Sequence, residues 1–294
     1  MTSYTVVTGA ASGMGRAIAG ALAENGERLV LIDIDPRVHE LSCTAGGDAI
    51  ITRVADITDA QAIGSIIDQV NREHGPTLKL VNNAAMMKNK PLAEISLGDW
   101  QDLLNINLTG AFIMSQAVGL HMRRHEAGAI VHIGSVAAAF GRNGGGAYSA
   151  AKAGIVGLSN TICVEWGAHG IRSNVVHPGL MRTPLSEAFY QDPDVNEQRC
   201  AQIALARPGG AEDVADMVRF LLSDGYVYQT IPAPIAGSSY KLAEPGALHG
   251  VVTADRADGV TGAIGTPTGV TAVSEATDIT RGTRSVVRAT LAPD

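Results

Sequence analysis

Tyr148 and Lys152 stand four residues apart in Tyr148-Ser149-Ala150-Ala151-Lys152. On a helix that spacing puts both side chains on one face, a turn from each other. An ammonium beside a phenol favours the phenolate and so lowers the phenol's pKa. A phenol tuned in this way exchanges a proton with an alcohol near neutral pH. Such pairs are common on solvated helix faces, so this one gains meaning only from what the rest of the chain builds around it.

A second group of residues lies near the N-terminus. Thr8-Gly9-Ala10-Ala11-Ser12-Gly13-Met14-Gly15 follows a short β-prone run and opens a helical pattern. Glycines at this spacing let the backbone turn tightly and approach a pyrophosphate, and the helix start supplies unpaired N–H groups. Gly9, Ser12, Gly13, Met14 and Gly15 are the candidate contacts. Asp33 closes the apolar run Arg28–Asp33. A carboxylate there accepts both ribose hydroxyls of an adenosine and repels a 2′-phosphate. No basic residue sits in the glycine loop, so NAD is expected over NADP. Asp35 reads as a turn residue that caps the next segment. Asp56 and Ile57, after the third strand, frame the adenine, with Asp56 on its amino group and Ile57 beneath the ring.

Hydrophobic patterning supplies the elements that must position these groups. Strands are expected at 4–8, 28–33, 49–54, 78–82, 129–134 and 171–176. Helical patterns run from 13 to about 25, 59 to 73, 97 to 124, about 148 to 166 and 212 to 222. Strands that alternate with helices imply βαβ units. The fold class is therefore α/β, a Rossmann-type doubly wound parallel sheet of order 3-2-1-4-5-6 with a seventh strand at the edge. That strand, within 226–235, carries Pro232 and Pro234, which confines it to an edge or makes it partly irregular. A single domain spans 1–239. Residues 240–294 form a low-complexity C-terminal extension of Gly, Ala, Thr and Val. It is expected to be poorly ordered, or alternatively to add strands to a partner subunit.

The bulk composition agrees. Hydrophobic residues make up 46%, aromatic residues only 4%, and there are 34 glycines, which suits a closely packed α/β core better than a nucleic-acid reader with stacking platforms. The net charge is −7 and no basic run occurs, so neither nucleic acid nor membrane is an expected partner. No secretion signal and no membrane-spanning apolar run is read, and the chain is expected to be cytoplasmic. Cys43, Cys163 and Cys200 read as reduced, mostly buried thiols with no metal or disulfide pattern.

In combination these motifs resemble the short-chain dehydrogenase/reductase (SDR) family. The resemblance covers residues 4 to about 239. It is carried by the glycine loop, Asn82-Asn83-Ala84-Ala85, Asn107-Leu108-Thr109-Gly110, Ser135, Tyr148 with Lys152, and Pro178-Gly179 followed by Thr183. It implies that Tyr148 is the general acid/base. Ser135 holds the substrate oxygen, and Lys152 holds the nicotinamide ribose and keeps the Tyr148 pKa low. Asn107 bends its helix and anchors a water between Lys152 and solvent. Asn83, Ala84 and Ala85 line the cofactor. Pro178, Gly179, Met181 and Thr183 bracket the nicotinamide. Tyr148 and Lys152 thus touch both cofactor and substrate. Hydride passes between a carbinol carbon and nicotinamide while Tyr148 handles the hydroxyl proton.

Several residues also have plainer readings. Ser135 can cap a turn, Asn107 can face water, and Met86 and Met87 can simply pack. His132 and His177 read as satisfied core or loop histidines. Ala85 stands where the family more often has Gly, and Ile235-Ala236-Gly237-Ser238 departs from the family's usual acid followed by glycines. The substrate loop is placed at 184–207, with Leu185, Phe189, Tyr190, Val195, Ile203 and Leu205 suggesting an uncharged, rather apolar secondary alcohol or ketone. A homotetramer or homodimer is expected, with helices 97–124 and 148–166 as the safer interface. The alternatives are a non-catalytic NAD-binding regulatory protein on the same fold, or an epimerase or dehydratase using the same Tyr and Lys.

Overall fold

One parallel sheet in the order β3-β2-β1-β4-β5-β6-β7 forms the centre of the computed structural model. The structure describes residues 3–43, 49–141, 143–184, 186–187 and 190–223, with strand segments at 233–234, 251–254 and 260–263. The strands are β1 (Tyr4–Thr8), β2 (Arg28–Asp33), β3 (Ile50–Val54), β4 (Thr77–Asn82), β5 (Gly128–Ile133), β6 (Ile171–His177) and β7 (Ala233–Pro234). The helices are α1 (Gly13–Glu24), α2 (Ala60–Glu73), α3 (Leu97–Leu104), α4 (Gly110–His125), α5 (Gly146–Trp166), α6 (Pro193–Ala201) and α7 (Ala211–Leu222). The expected sheet order and strand positions are thus found, with boundaries differing by a residue or so.

Both faces of the sheet are covered, so its strands read as continuous apolar runs. Successive side chains point to opposite faces. Val7, Leu29, Leu31, Val81 and Val131 form one core with Ile18 and Leu22 of α1 and Val214 and Val218 of α7. Val6, Val30, Ile32, Leu80 and Ile130 form the other, beneath Ile63 and Ile67 of α2 and Met114 and Val118 of α4. The α2 helix starts where Asp59 accepts from the N–H groups of Gln61 and Ala62, satisfying two orphan donors.

The helix expected over 97–124 is present as a continuous run to His125, but a π-turn at Asn105–Thr109 divides α3 from α4. The whole run is long and apolar enough by composition to cross a bilayer, which the sequence reading had not counted. Half of its most apolar window is buried, because α4 packs on β4, β5 and α2. Its apolarity therefore serves the core.

At the far edge β7 pairs in parallel with β6, Ala233 beside Val176 and Pro234 beside His177. A proline is tolerated there because β7 is the edge of the sheet among the described strands. Residues 224–232 lie outside the described residues, as does most of the extension. Within the extension the structure describes one antiparallel pair, β8 (Val251–Ala254) and β9 (Val260–Ala263). Cys163 is a buried free thiol, Cys200 is half-buried, and the Cys43 side chain lies outside the described residues. No metal-ligating cluster occurs among the described residues.

Gly15 sets how closely α1 approaches the loop before it. A Cβ there would lie 1.9 Å from the Gly9 carbonyl oxygen, a backbone atom with nowhere to go. Gly15→Ala is therefore expected to destabilise the domain by about 1–3 kcal/mol or more, read as a lower urea midpoint with an unchanged slope.

Candidate active site

The glycine loop is locked between β1 and β4. Gly9 has φ +66°, and a Cβ there would meet Ala84 Cα at 2.8 Å, so only glycine fits the turn and the approach together. Asn83 Nδ2 donates to the Thr8 and Gly9 carbonyls at 3.0 and 3.1 Å. Thr8 Oγ1 accepts from the Asn83 and Ala84 N–H groups and donates to Val81 O. Asn83 therefore shapes the loop from within. Ser12, at the N-cap of α1, makes no capping bond with its side chain, and the first turn of α1 carries no acid.

Asp33 joins the loop to the end of β2. Its Oδ2 accepts from Ala11 N at 2.8 Å and its Oδ1 from Asp35 N at 2.9 Å. Asp35 is the turn residue expected: it accepts from Arg37 N and pairs with the Arg37 guanidinium, which holds its carboxyl below the usual range. Asp56 Oδ1 accepts from the N–H and hydroxyl of Thr58.

A cavity of about 420 Å³ opens along the carboxyl ends of β1 to β4. Among the nominated residues, Gly9, Ser12, Gly13, Met14, Asp33, Asp56, Ile57, Asn83, Ala84, Ala85 and Thr183 line it. Ala85 is exposed there, so its methyl group has room. Ile34, Ala55, Met86, Ile106 and Pro184 also line it. Of these, Met86 and Pro184, the first residue of the expected substrate loop, are anticipated by the sequence; Ile34 is legible as the residue next to Asp33. Eight nominated residues stand outside the lining, Asn107 and Ser135 among them. Gly15 is buried against Gly9, and Met181 packs in the core beside Gly209. Tyr148, Lys152, Pro178 and Gly179 lie at the ends of β5 and β6 and the start of α5.

The Tyr–Lys pair sits on one face of α5 as its spacing requires, with Lys152 Nζ 5.7 Å from the centre of the Tyr148 ring. Tyr148 is half-buried and Lys152 is buried. The ammonium donates to Ile133 O at 2.7 Å, and burial lowers its pKa to about 8. Ser135, at the end of β5, does cap a turn: Oγ accepts from Ala137 N at 3.1 Å. That bond leaves the hydroxyl proton and a second lone pair available. Asn107 does not face water. It is buried in the π-turn, where Nδ2 donates to Met86 O and Leu103 O and Oδ1 accepts from Met86 N. Its amide ties the bent helix to the segment after β4.

Two sets of matches accompany this geometry. Residues 9–231 match the family model described as enoyl-(acyl carrier protein) reductase. The chain is 37% identical over 222 residues to D-threitol dehydrogenase of Mycolicibacterium smegmatis, covering 74% of this chain and 85% of that one. It is 35% identical to 3-oxoacyl-(acyl-carrier-protein) reductase of Escherichia coli, covering 76% and 91%. The crystal structure of an oxidoreductase of the short-chain dehydrogenase/reductase family from Burkholderia thailandensis superposes with a TM-score of 0.73 at 32% identity, covering 80% and 91%. The chain belongs to the short-chain dehydrogenase/reductase family. It is an oxidoreductase of the SDR fold.

The apolar residues of the loop expected at 184–207 face different ways in this SDR. Leu185 and Phe189 lie outside the described residues. Tyr190 and Ile203 turn inward and are buried, while Leu205 faces solvent. Tyr190 packs against two guanidiniums, Arg199 at 5.2 Å and Arg182 at 5.8 Å from its ring centre. Arg182 also pairs with Glu187. Loop burial has no period, so the apolar residues of 184–207 did not announce which way they face.

The two histidines flanking Lys152 are neutral. His132 is fully buried, and its pKa is lowered to about 3 by burial and by the nearby Lys152 charge. Ser115 donates to Ala111 O, so its oxygen must accept, which orients the Asn82 amide with Nδ2 towards Ser115 and His132 Nδ1. His132 Nε2 then carries the proton and has no partner among the described residues, so this histidine is only half satisfied. Between pH 6.5 and 3 the unfolded chain binds a proton that the folded ring refuses, so stability falls as pH falls through that window. His132→Asn is expected to lessen the loss between pH 6.5 and pH 5 by about 1–2 kcal/mol, measured by urea unfolding at the two pH values.

Proposed function

We propose that the protein is an NAD-dependent dehydrogenase or reductase acting on an uncharged secondary alcohol or its ketone, with Tyr148 as general acid/base. The observation that carries this reading is a buried Lys152 on the same helix face as Tyr148, bonded to Ile133 O two residues before Ser135, in a fold whose glycine loop lines a separate cavity. When bound, the nicotinamide accepts or returns the hydride.

The residues present fit such a cofactor. The uncapped start of α1, with Ser12, Gly13 and Met14 on the cavity wall, offers N–H groups to a pyrophosphate. Asp33 keeps a lone pair on each oxygen for the adenosine ribose. Asp56 and Ile57 would flank the adenine, and Asn83, Ala84, Ala85 and Thr183 the remainder. Pro178, Gly179 and Met181 would back the nicotinamide. Among the described residues, the charged groups on the cavity wall are the acids Asp33 and Asp56, which favours NAD over a cofactor bearing a 2′-phosphate.

In the oxidative direction Ser135 holds the substrate hydroxyl and Tyr148 takes its proton. Lys152 stabilises the phenolate and would hold the nicotinamide ribose when the cofactor is bound. Asn107 fixes the bend that sets the segment at Met86. Met86 and Ile106 give the cavity an apolar wall, and among the described residues the wall carries no Lys or Arg, in keeping with an uncharged substrate. The exposed Phe112, Leu120 and Val164 of α4 and α5 favour assembly as a homodimer or homotetramer through those helices.

The reading is tested by NADH absorbance against a panel of alcohols and ketones. Tyr148→Phe is expected to lose at least about 10²-fold in kcat/KM while binding NAD normally. A protein that binds NAD yet oxidises no alcohol and reduces no ketone sinks the proposal. Asp33→Asn is expected to weaken NAD by about 10- to 100-fold and to narrow the gap to NADP, measured by titration calorimetry.

A further inference from the structure

The ends of β5 and β6 are stitched together by alternating bonds, one of which comes from a side chain. Gly134 N donates to Val176 O at 2.7 Å, and Val136 N donates to Pro178 O at 3.1 Å. Between them the ladder loses a donor, because Pro178 has no N–H. His177 stands at this place. It is buried, and its Nδ1 lies 2.8 Å from Ser135 O and 3.2 Å from Ser135 N. One nitrogen cannot donate and accept in the same tautomer. The shorter contact and a neutral ring assign the proton to Nδ1, which donates to the Ser135 carbonyl.

Three further details make the contact a built one. A Cβ on Gly134 would fall 2.6 Å from His177 Nδ1, so the residue before Ser135 is glycine where the imidazole needs the space. Ser135 is extended, with φ −169° and ψ 152°, and its Oγ is turned onto Ala137 N. The peptide that His177 grips thus belongs to the residue whose hydroxyl direction is already fixed on the other side. His177 is also covalently next to Pro178-Gly179, the segment proposed to back the nicotinamide.

We infer that His177 is a positioning residue for Ser135: its Nδ1–H bond to the Ser135 carbonyl holds the substrate-binding hydroxyl in register with the nicotinamide wall. This rests on the reading of Ser135 as the group that holds the substrate oxygen. An error in that hydroxyl's place costs turnover without touching the pyrophosphate or adenosine contacts, which lie at the ends of β1 to β4. Histidine at this position therefore acts through geometry, and no proton transfer to substrate is assigned to it.

The test is a double-mutant cycle on the full chain, using the best substrate of the alcohol and ketone panel. His177→Phe keeps the ring's bulk and removes the donor. His177→Asn keeps an amide N–H near the place of Nδ1. The expected result is a fall in kcat on the order of 10- to 100-fold for His177→Phe, with NAD affinity unchanged and most of the loss recovered in His177→Asn. In a Ser135→Ala background the same change should cost little more, since the two residues act as one unit. Nitrogen-15 spectra of the histidine side chains at pH 7.5, with the signals assigned by their loss in His177→Asn, should show the Nδ1–H tautomer.

Four outcomes overturn the inference. His177→Phe may be as active as the parent, or it may lose as much in the Ser135→Ala background as alone. His177→Asn may be no better than His177→Phe, or the ring may prove to be the Nε2–H tautomer. If Ser135→Ala turns over normally, the reading of Ser135 fails and the inference falls with it. A normal His177→Phe beside a crippled Ser135→Ala sinks the inference alone.

Discussion

A buried ammonium governs the architecture around this site. Taking a cation out of water costs several kcal/mol unless something replaces its hydration. Lys152 is 3% exposed, and among the described residues its one hydrogen bond goes to Ile133 O. That carbonyl belongs to the last residue of β5, where the ladder ends and an acceptor comes free. Among the described residues no carboxylate bonds it, and the drop in its pKa to about 8 follows from burial. The Tyr148 ring centre lies 5.7 Å from the ammonium. Burial and the Lys152 charge also lower the pKa values of His132 and His177, which disfavours a second cation beside it.

The other half of the site depends on close approach rather than charge. The turn at Gly9 and the entry of α1 at Gly15 bring three pieces of backbone together, and Asn83 bonds two of the carbonyls that crowd there. Asp33 adds a link from the loop to β2. The residues with the most family-like spacing therefore have structural work as well as their proposed ligand contacts. Ser135 is the same case: its capping bond and its proposed substrate bond use different parts of one hydroxyl. For such residues the plain reading and the functional reading are compatible, because the structural bond fixes the orientation that the chemistry needs.

The sheet order, the strand positions and the Tyr148–Lys152 face were legible because each rests on a local pattern. Apolar runs closed by Asp33 or Asn82, and a four-residue spacing on a helix, need no knowledge of distant chain. The π-turn was half legible. Asn107 was marked as a bend, and its bond to Leu103 O is local, but the amide's commitment to Met86 depends on a segment 21 residues away. The tie from His177 to Ser135 spans 42 residues and exists only once β5 and β6 are paired. Neither residue carries a local mark of the other. The half-satisfied state of His132 was hidden for the same reason, since Asn82 and His132 become neighbours only through the pairing of β4 with β5.

The C-terminal edge bears on the site through this same pairing. The match to the family model ends at residue 231, just before Ala233 and Pro234 lie down beside Val176 and His177. Pro234 contributes no N–H to its pairing with His177. On its other side His177 is set by the Ser135 carbonyl and by the space left at Gly134. A backbone pairing to β7 and a side-chain bond to the end of β5 thus meet at one residue, so the place of His177 is fixed by groups from both neighbouring strands.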